Sequence, residues 1–280
     1  MTVESLLPQL EFEPIAEEAV RQKITKCRRQ IEAIAETAYH GSDFDFPLCR
    51  RMPLTRLAAV TYLLAQKYTE YQAIGAADGI ILDTFRDVSH RAALYDKQCG
   101  KIGISKEDVI WFRHIMNVQI FKIGVLQYQT FHMLYLDEET IGEPYMVFTE
   151  GQKKSLPIGT PVINCHIQRG ANISAAAVKE SLARARMFFN ECFRTVPYQA
   201  FICYSWLLYP PMVQSLPEKS NIRQFADLFS IIGVCSDSSQ AKENLFRYGR
   251  HGSPCAPTSL QRMAKEHKEL LGYGCGVIML

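Results

Sequence analysis

Apolar residues recur at helical spacing through roughly the first 116 positions, and near Val118 the pattern changes to one of extended chain. Over residues 17–39, Ala19, Ile24, Cys27, Ile31, Ile34 and Ala38 alternate with Lys, Arg and Glu, which predicts one long amphipathic helix. Residues 54–75 predict a second helix, with Leu57, Val60, Leu64 and Tyr68 on one side, and residues 78–96 a third, holding Ile81, Phe85, Val88 and Leu94. The stretch 40–53 reads as loop. Residues 100–105 break the pattern, and Ser105 with Asp108 three places on has the form of a capping box for a fourth helix, about 106–116, carrying Trp111, Phe112 and Ile115.

From Val118 the density of β-branched and aromatic residues predicts a strand over 118–136, then an acid-rich turn at 137–139, a second strand over 145–149 and a third over 160–167. A helix opening at Ser174 follows, with Val178, Leu182, Ala185 and Phe189 on one face. Residues 198–208 are nearly unbroken apolar chain, as suits a central strand covered on both sides, and Pro210-Pro211 ends it. A helix over 221–232, a strand from about 231 to 235, a loop over 249–257, a helix over 258–270 and a glycine-spaced strand over 272–280 complete the reading. The fold class is α+β or α/β. A helical domain over 1–118 precedes a domain over 119–280 with a mixed sheet and flanking helices.

Composition and charge then exclude several classes. Of the 280 residues 48% are hydrophobic and 21% charged, the profile of a folded globular chain. A net charge of +2 gives no electrostatic case for nucleic acid or an anionic membrane as partner. No apolar run approaches a membrane span, and the N-terminal residues do not read as a signal peptide. The nine cysteines never form a Cys-x-x-Cys pair, and several sit inside apolar runs, which predicts reduced core thiols of a cytoplasmic protein and no metal site. Asp78, Asp83 and Asp87 are explained by helix polarity rather than by a metal.

The chemistry gathers between the strand 160–167 and the helix after Ser174. Alternation puts Val162, Asn164 and His166 on one face of the strand and Ile163, Cys165 and Ile167 on the other. The connecting loop is Gln168, Arg169, Gly170, Ala171, Asn172. A short glycine loop feeding a helix N-terminus presents backbone N–H groups and the positive end of the helix dipole, a corner that can hold a phosphate, with Arg169 as a charged donor. The alternative is a turn glycine beside a solvated arginine.

Six phrases, in order, carry a resemblance: Trp111-Phe-Arg-His, Phe121-Lys-Ile-Gly-Val-Leu-Gln-Tyr, His166-Ile-Gln-x-Gly170, Ser205-Trp-Leu-Leu-Tyr-Pro210, Ser220-Asn-Ile222 and Thr258-Ser-Leu-Gln-Arg262. Together they resemble a bacterial acyltransferase-like family with a helical N-terminal N-acyltransferase domain and a GNAT-like C-terminal domain. The resemblance implies a sheet that splays between two central strands, here 160–167 and 198–208, running parallel, with their ladder thinning toward the C-terminal ends. The pantetheine of an acyl-CoA co-substrate would lie in the gap and its pyrophosphate on Gln168, Arg169, Gly170, Ala171 and Asn172. The usual loop of that fold has its glycines at a different spacing; here there is one.

On this reading the partners are a CoA thioester and a small-molecule amine or amino-sugar acceptor. His166 is the candidate base, the alternative being a core histidine bonded to a backbone carbonyl, and Ser205 is a candidate hydrogen-bond donor, since Tyr204 and Ser205 face opposite ways and only one lines the gap. Asn221 either caps its helix or contacts the cofactor. Arg113, His114 and Gln127 are further candidates for an acceptor groove, with no local argument to select them. The alternative function is a non-catalytic module that keeps the fold and binds a ligand or protein. A serine hydrolase lacks its Gly-x-Ser-x-Gly elbow.

Overall fold

The computed structural model describes residues 1–41, 44–246 and 258–280; the loop expected over 249–257 lies outside the described residues. Two compact units emerge, one of residues 1–121 and one of residues 122–246 with 258–280.

The first unit is helical: α1 (Val3–Leu6), α2 (Pro14–Lys26), α3 (Arg28–Thr37), α4 (Pro53–Ala73), α5 (Asp78–Phe85), α6 (Asp87–Cys99) and α7 (Lys106–Met116), with 3-10 turns at Leu7–Gln9 and Pro47–Arg50. The centre is α4. It is apolar almost all round, as a helix surrounded by others must be, and packs against α2, α3, α5, α6 and α7. Its buried polar groups are satisfied: Arg56 donates to the carbonyls of Arg51 and Ile104, and the Tyr71 hydroxyl lies 2.9 Å from the carbonyl of Ile120.

Two helices predicted as continuous are each divided. The helix expected over 17–39 breaks at Cys27 (φ −122°, ψ 27°), and the apolar stripe continues on both sides, so periodicity carries no sign of the break. The helix expected over 78–96 bends at Arg86, whose guanidinium is held by Asp83, Glu11 and the Gln9 carbonyl. The capping box at the start of α7 is present in both halves.

Asp87, one of the three aspartates weighed as metal ligands, is buried in an ionic cluster. Arg91 bridges Asp87 and Asp108, each at 2.9 Å, while the Trp111 indole donates to Asp87 and lies under the guanidinium.

The second unit is a six-stranded mixed sheet in the order β1-β2-β3-β4-β6-β5. Its elements, in chain order, are β1 (Ile120–Ile123), β2 (Leu126–His132), α8 (Glu138–Ile141), α9 (Glu150–Ser155), β3 (Pro161–His166), α10 (Ala175–Cys192), β4 (Ala200–Ser205), α11 (Pro210–Ser215), α12 (Asn221–Ala226), β5 (Ser230–Cys235), α13 (Ser239–Phe246), α14 (Ser259–Glu266) and β6 (Tyr273–Met279). β6, the last in sequence, lies between β4 and β5 and is antiparallel to both.

Several expectations are corrected. The single strand over 118–136 is a hairpin, because Gly124 turns the chain at φ 62°, where a side chain is strained. The turn docks on α10: Ser181 Oγ bonds the Ile123 carbonyl and the Tyr128 hydroxyl. Residues 145–149 are extended but belong to no strand. Met146 and Phe148 plug into the apolar face of the sheet, the segment makes one backbone bond to Leu136, and Thr149 caps α9.

The strand expected over 198–208 runs only from Ala200 to Ser205, where the 3-10 turn Trp206–Leu208 takes over; Pro210-Pro211 then starts α11, where the missing N–H groups cost nothing. The helix expected over 221–232 stops at Ala226, and β5 begins at Ser230; α13 was not foreseen. The helix expected over 258–270 is α14, with a capping box at Thr258, followed by a 3-10 turn.

One sheet face packs on α10 through Tyr128, whose ring lies 5.7 Å from that of Phe201. The other holds Val162, Ala200, Ile202, Cys275 and Val277 against Met133, Tyr135, Met146, Phe148 and Leu156. On this second side Asp137 caps α8 and pairs with Lys153 of α9 at 2.8 Å. The Lys153 hydrogen bond, opposed by burial and aided by the Thr140 amide, holds the Asp137 carboxyl below its ordinary value. A depressed carboxyl stabilises the fold above its unfolded value, near 4, and that contribution is lost as pH falls through the folded value. Asp137→Asn, which keeps the cap, should therefore melt below the wild type at pH 7 and level with it near pH 2. Thermal melts across pH decide this; a constant gap down to pH 2 would contradict it.

Candidate active site

β3 and β4 run parallel, joined through α10. Their ladder opens with the Gln199 amide on the Pro161 carbonyl at 3.0 Å and pairs only Ile163 with Phe201 and Asn164 with Ile202. Beyond that the strands part, although each stays paired on its far side. β3 is matched to β2 as far as His166, and β4 to β6 as far as Ser205. The sheet therefore splays between Cys165–His166 and Cys203–Ser205, as the resemblance implies.

Alternation and cross-strand register place side chains along the rim of this gap. In β2 and β3, Gln127 is opposite His166 and Gln129 opposite Asn164, so these four polar residues share the face that also holds Val162, Ile202 and Tyr204. His166 is half-buried, and its Nε2 lies 2.8 Å from Gln129 Oε1. Gln127 and Gln129 are buried, at 1% and 6% exposure. Neither Gln127 Nε2 nor Asn164 Oδ1 has a hydrogen-bond partner among the described residues. Buried amide groups of this kind favour a polar ligand or water at the rim.

Ser205 faces the other way. It lies on the α10 side with Phe201, is buried, and its Oγ accepts the Leu207 amide at 3.2 Å, capping the 3-10 turn Trp206–Leu208. Tyr204 takes the place that sequence reasoning offered to Ser205. Its hydroxyl donates to the Leu134 carbonyl at 2.6 Å, and burial raises its phenol far above the ordinary value, so it stays protonated. The pairing of residues across β3 and β4 decides between the two, and one strand's alternation alone does not reveal it.

At the end of β3 the loop folds as a turn. The Ala171 amide bonds the Gln168 carbonyl at 3.1 Å, and Gly170 has φ 81°. A Cβ built on Gly170 meets nothing within 4 Å, so the glycine is required by its backbone angle rather than by a protein neighbour. Asn172 Oδ1 accepts the Ser174 amide at 3.1 Å. Ser174 occupies the N-cap as predicted, but its side chain makes no capping bond, and the first turn is three alanines, Ala175 to Ala177. The N-terminal amides of α10 thus open past small side chains, next to the loop and at the mouth of the splay. A pyrophosphate suits such a corner. Arg169 donates to the Asn244 carbonyl of α13. α13 is itself tied to the end of β4 through Gln240 Oε1 and the Trp206 amide.

Asn221 is the first residue inside α12, exposed, with Ser220 at the N-cap, so it is not the cap. Arg113 lies over the rings of Phe44 and Phe46, and His114 bonds Gln119, its imidazole shifted down by burial. Among the described residues no group of three or more His, Cys, Asp or Glu is placed to hold a metal ion, and no helix is long and apolar enough to cross a membrane.

Solved structures share this fold over nearly the whole chain. An acyltransferase in complex with decanoyl-CoA and teicoplanin matches with TM-score 0.73 at 19% identity, and a mutant acyltransferase in complex with octanoyl-CoA with TM-score 0.74 at 18%. A third, an acyltransferase with CoA and 10C-teicoplanin, matches with TM-score 0.70 at 18%. Each match covers 99% of this chain and 87% of the other. No curated protein matches significantly. Residues 120–276, more than half of the chain, match the family described as the GNAT-like C-terminal domain, and the protein belongs to that family.

Proposed function

We propose that this protein is an acyl-CoA-dependent N-acyltransferase of the cytoplasm. Residues 119–280 form its acyltransferase domain, and a helical domain over 1–118 precedes it. The observation that carries the reading is the parallel β3–β4 ladder that stops after Asn164 and Ile202 while both outer ladders continue. A flat sheet would have no reason to part there, and the parting ends at a loop and helix N-terminus suited to a diphosphate. The acyltransferases of like fold, bound to CoA, decanoyl-CoA or octanoyl-CoA, support the same ligand class.

The loop Gln168 to Asn172 and the first turn of α10 hold the pyrophosphate, and the splayed edges of β3 and β4 take the pantetheine in place of their missing ladder bonds. The acceptor is an amine or amino sugar. The amine nitrogen attacks the thioester carbonyl carbon while His166 takes the amine proton. As the carbon–sulfur bond breaks, the imidazolium returns that proton to the thiolate, so acyl-CoA and amine give amide and CoA thiol. The buried amide of Gln127, beside His166, donates to polar atoms of the acceptor. Ser205 keeps a structural role. Two of the related complexes hold teicoplanin together with a CoA ligand, which supports an acceptor that binds alongside the thioester here.

Calorimetric titration with acetyl-, octanoyl- and decanoyl-CoA tests the reading. Gly170→Val should lower affinity at least tenfold, because a β-branched residue cannot hold the positive φ that aims the loop amides. Arg169→Ala should cost roughly 5- to 30-fold, about 1–2 kcal/mol, for one exposed charge-assisted bond. Wild-type protein giving no heat with any of the three esters would replace the enzyme by a binding module of the same fold.

A further inference from the structure

We infer that Gln129 is a positioning residue: its carboxamide oxygen holds the His166 imidazole with the proton on Nε2, which makes Nδ1 the basic nitrogen of the neutral ring. The pairing stands on the geometry of the second unit alone; its consequence for turnover rests on the acyltransferase reading.

Gln129 projects from β2 onto the same face as His166. It does not lie opposite that histidine, since Gln127 does; it reaches the ring along the diagonal, one pleat away. Its buried Oε1 lies 2.8 Å from His166 Nε2, and Asn164 Nδ2 approaches the same oxygen at 3.5 Å. A carbonyl oxygen only accepts, so Nε2 must donate, and in a neutral ring the lone pair then belongs to Nδ1. The Asn164 Nδ2 contact to the same oxygen agrees with this orientation of the Gln129 carboxamide.

The choice of an uncharged partner matters. A carboxylate at this distance would favour the imidazolium and leave part of the protein unable to accept a proton near neutral pH. A carboxamide fixes ring orientation and tautomer without that charge. The four side chains also use the strongest constraint the fold offers, because the β2–β3 ladder remains paired up to His166 while the other side of β3 is open.

Nitrogen-15 NMR of the histidine ring tests the inference. The chain has seven histidines, and a difference spectrum against His166→Gln assigns the ring. At a pH where the ring is neutral, wild-type His166 should be the Nε2–H form, and Gln129→Leu should give a mixture of both forms. Turnover of Gln129→Leu should fall roughly tenfold or more with the KM for acyl-CoA unchanged, as expected when a base is held in the wrong tautomer. A wild-type ring protonated on Nδ1, ring shifts untouched by Gln129→Leu, or unaltered kcat in a variant whose tautomers are mixed would each overturn the assignment. Inactivity of the wild type with every CoA thioester would sink the acyltransferase reading, while the ring shifts judge the Gln129–His166 pairing independently.

Discussion

The His166→Ala protein should bind a CoA thioester about as tightly as the wild type and turn it over at roughly a hundredth of the rate or less, the usual loss for a general base. Two features of the site separate the effects. His166 ends β3 at the rim of the splay, whereas the groups proposed for the pyrophosphate are backbone amides of residues 168–172 and the first turn of α10. Truncating the imidazole removes none of them. The β2–β3 ladder that holds the strand is made of backbone bonds, so the register should survive as well. Stopped-flow single turnover together with calorimetry distinguishes chemistry from binding. A variant with kcat within threefold of the wild type would remove His166 from the mechanism. A variant that loses acyl-CoA binding in parallel would make it a ligand contact rather than a base.

A stability effect of comparable size is expected at Arg91. Its guanidinium lies between Asp87, 1% exposed, and Asp108, and over the Trp111 indole. Arg91→Ala would leave two buried carboxylates facing each other across the space the cation filled. Breaking a buried pair by removing one partner costs about 3–5 kcal/mol. Arg91→Lys should recover only part of this, because an ammonium cannot span both carboxylates as the planar fork does. Double replacement, Arg91→Met with Asp87→Leu, should be milder than Arg91→Ala, since it removes charge on both sides. Denaturant unfolding followed by far-UV circular dichroism measures all three. A loss below about 1 kcal/mol for Arg91→Ala would show that solvent reaches the cluster and screens it.

These two sites differ in how far the sequence revealed them. The candidate His166 could be picked out because its strand alternates and its loop carries a glycine. Both are local patterns, and neither depends on what lies alongside. Gln129 could not, because its role depends on the offset between β2 and β3, and the hairpin that sets that offset was hidden. One glycine at 124, embedded in β-branched residues, turned an apparent single strand into two. Residues 145–149 erred in the opposite sense. Met146 and Phe148 are buried and Val147 is exposed, a true period of two, but alternation reports an extended chain with one face covered and is silent on whether neighbouring backbone completes a ladder. The choice between Tyr204 and Ser205 needed the register of β4 against β3, again a non-local quantity. The Arg91 cluster escaped because its partners lie 4 and 17 residues away on two helices. Some helix starts were announced well: the capping box read at Ser105 is present, and the helix expected from Thr258 does open there, on a box that the sequence reading did not name.

The position of β6 has a consequence for how the molecule is made. Among the described residues β6 is the sole neighbour of β5 in the sheet, and it also covers the edge of β4, yet it is the last of the six strands to be synthesised. Roughly forty residues separate β5 from β6, and at ~5–20 residues per second the ribosome needs on the order of 2–8 s to supply them. For that interval the strand Ala200–Ser205, apolar on both faces, carries an open edge, the condition under which nascent chains pair with one another. The hazard lies in timing rather than in the finished fold. A pause in translation between residues 236 and 272 lengthens the interval, and a chaperone that shelters the unfinished sheet shortens its exposure.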